Sequence, residues 1–254
     1  MNHLVIEYPL FFFKRRANGA SPASWDELSE TQFIGISRLV HGGELDFNFL
    51  ALLTSFSRRL IRALSPYQLA ELSDQFDFIG KGSKGHNSFF STRLKGTNLV
   101  APKPRLAGMT FGQFIFADAY YNQWLAGKEE ETLNKFIASL YLMPGERFKE
   151  EGIATRKRVV GKVPMTIRLS IAYNYSLIIA WLQQVYPLIF HSPAIRQEVD
   201  GNSPESHPKD SGWLKVFDLI VGDDLINRDR YARLPIHTVL NYLTTKYKEN
   251  ARGH

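Results

Sequence analysis

The chain has 254 residues, 44% of them apolar, and its 31 Lys and Arg against 25 Asp and Glu give a formal charge of +6. That length and apolar share can close a sizeable core in one large or two small domains, which excludes a disordered polar chain. The absence of cysteine excludes a disulfide framework, thiol catalysis and cysteine-ligated zinc, and points to a reducing compartment, the cytoplasm.

The opening stretch from Met1 to Arg16 lacks the basic region that precedes a secretory signal's apolar run, and Pro9 interrupts it. The longest apolar candidate, Ile171 to Phe190, carries Asn174, Gln183, Gln184 and Pro187, so it falls short of the roughly 18 apolar residues a span requires. The expectation is a soluble protein with no membrane partner.

Within the first 18 residues, LVIEY and LFFF are strand-compatible, with Pro9 confining any strand to an edge. Ser24 to Glu27 fits a capping box, which predicts a helix from Trp25 to about Val40, stopped by His41, Gly42 and Gly43. A second apolar stripe, Phe47, Leu50, Leu53, Phe56, Leu60, Ile61 and Leu64, predicts one continuous helix. Ser65 and Pro66 then open a third, to about Phe78.

Periodicity collapses from Gly80 to Gly108. Between Lys81 and Arg105 there are six Lys and Arg and no acid, so this reads as a basic, Gly-rich loop with a short strand pair around Phe89 to Arg93 and Thr97 to Val100. The predicted fold is therefore mostly α: an N-terminal helical lobe over 1–79, a basic loop or β-hairpin linker over 80–108, and a C-terminal helical lobe over 109–254.

In the second lobe Thr110 caps a helix to about Leu125, closed by Gly127, and Lys128 to Thr132 start another that ends near Leu142. Pro164 to Tyr186 is apolar on most faces, the signature of a buried central helix. Ser192 to Ser211 reads as a mobile loop, followed by helices from Trp213 to Val221 and from Pro235 to Lys248, with frayed residues beyond Ala251.

No catalytic, cofactor or metal constellation stands out. Gly80, Gly82 and Gly85 fit the G-x-G-x-x-G spacing, but a helix precedes them and a strand-like run follows, the reverse of a dinucleotide site; His86 stands where a P-loop would carry lysine. The seven histidines are scattered without metal-ligand spacing, Asp223 and Asp224 read as turn caps, and no G-x-S-x-G elbow exists. A non-enzymatic protein without cofactor is expected.

Two binding patterns remain. Phe111, Phe114, Phe116, Tyr120, Tyr121 and Trp124 crowd one helix on more than one face, and Phe114, Tyr120, Tyr121 and Trp124 are the candidate partner-binding residues, the competing reading being a two-sided core helix. The alternative function is nucleic-acid binding, with Lys81, Lys84, Arg93, Lys95, Arg156, Lys157 and Arg158 on phosphates. The second of these basic clusters, which continues to Lys162 and Arg168, reads as exposed loop or strand.

PASWDELSETQ from Pro22, MTFGQFIFADAYY from Met109, LNKFIASLYL from Leu133 and the terminal GWLKVFDLIVGDDL and LPIHTVLNYL occur in this order. That order resembles uncharacterised proteins of tail-morphogenesis clusters in tailed phages and prophage-like elements, and more loosely tail assembly chaperones. The resemblance implies a cytoplasmic morphogenesis factor that binds a tail protein, such as the tape measure, or a minor virion component.

Overall fold

A computed structural model describes residues 1–10, 13–42, 47–80, 93–190 and 212–252. Helices dominate, with one two-stranded antiparallel ribbon among the described residues. The chain divides into two compact units, 1–89 and 90–254.

In the first unit the ribbon pairs β1 (Asn2–Leu10) with β2 (Phe13–Ser21), in a register that sets Glu7 opposite Arg16. A two-stranded ribbon is marginal alone. Here side chains from the helices brace it: Gln68 donates to the Glu7 carbonyl at 2.6 Å, and Ser55 exchanges two hydrogen bonds with Ala20.

The first helix, α1, runs Glu30–Val40 and starts five residues later than predicted. Its capping box is Ser29 with Gln32, because Glu27 is taken by the Met1 amino group and the Ala23 amide, and Trp25–Glu27 forms only a 3-10 turn. The continuous helix predicted over 47–64 is broken into α2 (Phe47–Leu53) and α3 (Arg58–Arg62). Thr54, Ser55 and Ser57 are the cause. The Thr54 hydroxyl bonds back to the Leu50 carbonyl and accepts from the Phe56 amide, Ser55 turns to β2, and Ser57 caps α3, each hydroxyl offering the backbone an alternative to the helix. Ser65 caps α4 (Pro66–Asp74), and α5 (Asp77–Gly80) follows; Trp25, Phe33, Ile36, Leu53, Ile61 and Leu72 fill this unit's core.

Residues 81–92 lie outside the described residues, and with them part of the predicted strand pair. Arg93 and Val100 meet in a single antiparallel bridge, Val100 also bridges Leu142, and Leu94, Leu99 and Leu106 are buried in the core of the second unit.

That core is built on α6 (Phe111–Gly127) and α7 (Glu130–Leu140), an antiparallel pair capped by Thr110. The turn between them uses Lys128, not Gly127, as its left-handed residue (φ +53°), and the Lys128 ammonium lies 4.4 Å from the Trp124 ring centroid, a cation–π contact that favours the strained position. α8 (Gly152–Val160) is a helix where loop or strand was predicted, followed by the central α9 (Met165–Val185) and α10 (Pro187–Phe190). The predicted mobile loop over Ser192–Ser211 lies outside the described residues. α11 (Gly212–Val221), α12 (Arg228–Ala232) and α13 (Ile236–Arg252) complete the unit. No helix among the described residues is long and apolar enough to cross a membrane.

Candidate functional site

The aromatic helix expected to dock a partner is largely core. Phe114 is 0% exposed, and Tyr121 and Trp124 are buried with it. Tyr121 packs 5.2 Å from Phe136 and 4.9 Å from Tyr175, and burial lifts its hydroxyl to about pKa 12. Only Tyr120 of the four keeps partial exposure, half-buried beside Phe116 with Lys135 over its ring at 5.9 Å. The exposed-face expectation for Phe114, Tyr121 and Trp124 is therefore corrected: α6 is buried on both sides, because α7 and α9 cover one flank and α11 the other.

Between α6 and α9 lies a polar knot with Asn122 on its exposed edge. The Tyr175 hydroxyl donates to Asp118 at 3.0 Å, and the Asn122 amide donates to the other carboxylate oxygen at 3.0 Å. Burial and the Asp118 carboxylate hold Tyr175 well above the ordinary tyrosine pKa. The phenol is fully buried and keeps its proton at neutral pH.

The basic clusters divide. Lys81 and Lys84 lie outside the described residues. Arg156, expected on a phosphate, is 2% exposed; its Nε donates to the Ala138 carbonyl at 2.7 Å and its guanidinium pairs with Glu146. Gly152 permits this, since a Cβ there would strike the Arg156–Glu146 pair. Arg168, buried likewise, reaches Asn134 at 2.6 Å and Glu130 at 2.8 Å, and Lys157 spans to Glu131 at 2.7 Å. These three cations fasten α8 and α9 to α7. The reading of this cluster as exposed loop or strand is thus corrected: one face of α8 buries against α7, Arg156 meeting the Ala138 carbonyl of α7 and Glu146 of the preceding loop, and Lys157 meeting Glu131 of α7. Arg93, Lys95 and Arg158 remain exposed.

His237 is tied into the packing of the second unit. The Arg105 carbonyl can only accept, so the imidazole Nε2 donates to it at 2.7 Å, and Nδ1 shares a hydrogen bond of 3.1 Å with the Tyr186 hydroxyl. Among the described residues no group of three or more His, Asp or Glu could hold a metal ion.

The most exposed apolar feature was not singled out in the sequence. Leu219, Leu225 and Ile226 are 77%, 65% and 97% exposed, within eight residues of chain at the end of α11. The turn that carries them is firmly built. Gly222 takes a left-handed conformation (φ +53°) that lets its amide reach the Asp218 carbonyl at 2.8 Å. Asp224 accepts from the Asn227 amide at 3.0 Å and the Tyr231 hydroxyl at 3.2 Å, which pins the 3-10 turn Leu225–Asn227, and Arg228 bridges to Asp218 at 2.8 Å while stacking 4.9 Å over Phe217. Asp224 thus supports the turn after Gly222, as its position beside Asp223 suggested.

At the opposite end of α11, Trp213 lies edge-on to Phe114 at 5.2 Å and to Phe111 at 6.1 Å. A local signal existed in the sequence: the Leu225–Ile226 pair sits in GDDLINRD, where no helical or strand period can bury both.

No family model, curated protein or solved structure matches the chain.

Proposed function

We propose that this protein is a non-enzymatic binding factor that captures a protein partner on Leu219 of α11 and on the turn that follows it, which carries Leu225 and Ile226. The observation that supports it is the pairing of large aliphatic exposure with a braced backbone. Exposed aliphatics close in sequence favour association because covering them removes apolar area from water. A turn already fixed by Gly222, Asp224 and Arg228 has little conformational entropy left to lose on binding.

The setting we propose is phage tail assembly, with a tail protein such as the tape measure as partner, on the resemblance carried by GWLKVFDLIVGDDL and its companion motifs. That the chain is itself a minor virion component is the variant of that setting. Nucleic acid is the weaker reading, because Arg156 is buried and Lys157 is engaged by Glu131.

The test is affinity capture from nuclease-treated native cells with the wild-type chain and with Leu219→Asp/Ile226→Asp. A stoichiometric protein retained by the wild type and lost by the variant, at unchanged melting temperature, supports the reading. Equal capture by both chains overturns it.

A further inference from the structure

Asn18 and Gly19 form the only Asn-Gly step in the sequence. Such a pair ordinarily marks a hairpin turn, yet both residues lie inside β2, paired with Val5 and Leu4 of β1. Packing explains the glycine. A Cβ at position 19 would stand 2.5 Å from Cε1 of the buried Phe56 ring, so a side chain fits there only if the ring moves.

The same glycine makes the step reactive. In an unrestrained chain a glycine amide meets no side-chain obstruction when it attacks the carboxamide of a preceding asparagine, and Asn18 is exposed to water. What opposes the reaction is the ladder. The Ala20 amide and carbonyl both turn outward to Ser55, at 2.8 and 3.1 Å, and the Glu7 carbonyl turns outward to Gln68 at 2.6 Å. Inward and outward backbone groups alternate along antiparallel strands, so each of these contacts independently makes Leu4 and Gly19 a hydrogen-bonded pair. The Gly19 amide therefore donates to the Leu4 carbonyl, and the nitrogen that would attack Asn18 is engaged with β1. Ser55 holds Ala20, and Gln68 holds Glu7, the partner of Arg16, so the two clamps bracket Asn18 two residues to either side.

We propose that Asn18 is a gated deamidation site, inert while β1 and β2 are paired and converted when they part. A two-stranded ribbon is the kind of element that opens well below the free energy of global unfolding. On opening, the Gly19 nitrogen bonds to the Asn18 side-chain carbon, and its proton departs with the carboxamide nitrogen as ammonia, which closes a succinimide. Water then adds to either ring carbonyl and opens the ring to aspartate or isoaspartate. The net reaction consumes one water and releases one ammonia, with no oxidant or reductant. Isoaspartate routes the backbone through its side chain and adds one methylene, so the residues on one side of position 18 no longer meet their partners on β1. A transient opening is thereby fixed as a permanent one, with one added negative charge.

The experiment is peptide-mapping mass spectrometry of the full chain, incubated at mildly alkaline pH, folded and in guanidinium chloride, following the mass increase of deamidation at Asn18. The denatured chain should react at least about tenfold faster than the folded one. Guanidinium chloride added below the unfolding transition should raise the rate of the folded chain step by step, as local opening grows. Gln68→Glu keeps the acceptor that caps α4 and removes the donor to Glu7, and should raise the rate several-fold with the far-ultraviolet spectrum unchanged. The proposal is overturned if folded and denatured chains react alike, or if Asn18 stays unmodified in denaturant. It is overturned equally if neither the added denaturant nor Gln68→Glu speeds the reaction of chain that remains folded.

Discussion

Arg228 and Asp218 close a salt bridge of 2.8 Å across the turn that carries Leu225 and Ile226, and the same guanidinium stacks on Phe217 beneath it. Both side chains are about half exposed, so the pair contributes less than about 1 kcal/mol to global stability. Its role is local. Arg228→Ala should leave the melting temperature within a degree or two of the wild type, yet speed amide hydrogen exchange over 222–228 and weaken partner capture. Unchanged exchange in that segment would show that the bridge does not brace the turn.

Ile226 and Phe114 make opposite tests of what docks and what packs. Ile226→Asp changes a side chain 97% exposed, so folding stability should move by no more than about 0.5 kcal/mol. Phe114→Ala removes a fully buried ring that abuts Trp213, and should cost about 3–5 kcal/mol in urea denaturation. A Phe114→Ala protein as stable as the wild type would return that ring to the surface.

Arg156 should behave as a structural cation. Arg156→Ala leaves the Ala138 carbonyl and Glu146 without their donor, at a cost of about 3 kcal/mol, the lower end for a broken buried pair because Glu146 keeps some water. Gly152→Ala should destabilise by the same route, forcing the guanidinium off Glu146. Chemical denaturation checks both; full stability with altered nucleic-acid affinity would instead support a phosphate-binding role for Arg156.

The buried and half-buried tyrosines set an alkaline limit. Tyr121 and Tyr173 are pushed up to about 12 in the folded chain, and burial raises Tyr175 well above its ordinary value, against about 10 when unfolded. Their folded values are raised, so between about pH 10 and 12 the unfolded chain has released protons that the folded chain retains, and stability falls as pH rises. Urea midpoints should drop across this window, with phenolate absorbance appearing together with unfolding, and Tyr121→Phe should soften the drop. Phenolate absorbance that rises gradually before unfolding would contradict the buried assignment.

Helix class and most helix starts were legible because caps are local. Ser65 with Pro66, Thr110 before Phe111, and the apolar run from Met165 each act within one turn of chain. What failed depended on partners distant in sequence. The Ser24 box lost its glutamate to Met1, Ser55 left the predicted second helix for Ala20, and Arg156 looked exposed because Ala138 and Glu146 could not be seen beside it. The aromatic content of α6 was visible, but its burial was decided by Trp213, Phe136 and Tyr175. The exposed turn went unnoticed for the converse reason: only a folded chain reveals that nothing described covers Ile226.

The most direct test is photo-crosslinking in native cells with p-benzoylphenylalanine at position 226, against the same group at the exposed polar Gln184. Protein binding on the turn predicts one discrete adduct from position 226, absent from position 184 and diminished by Leu219→Asp. No adduct at 226, or an identical pattern from both positions, would contradict it.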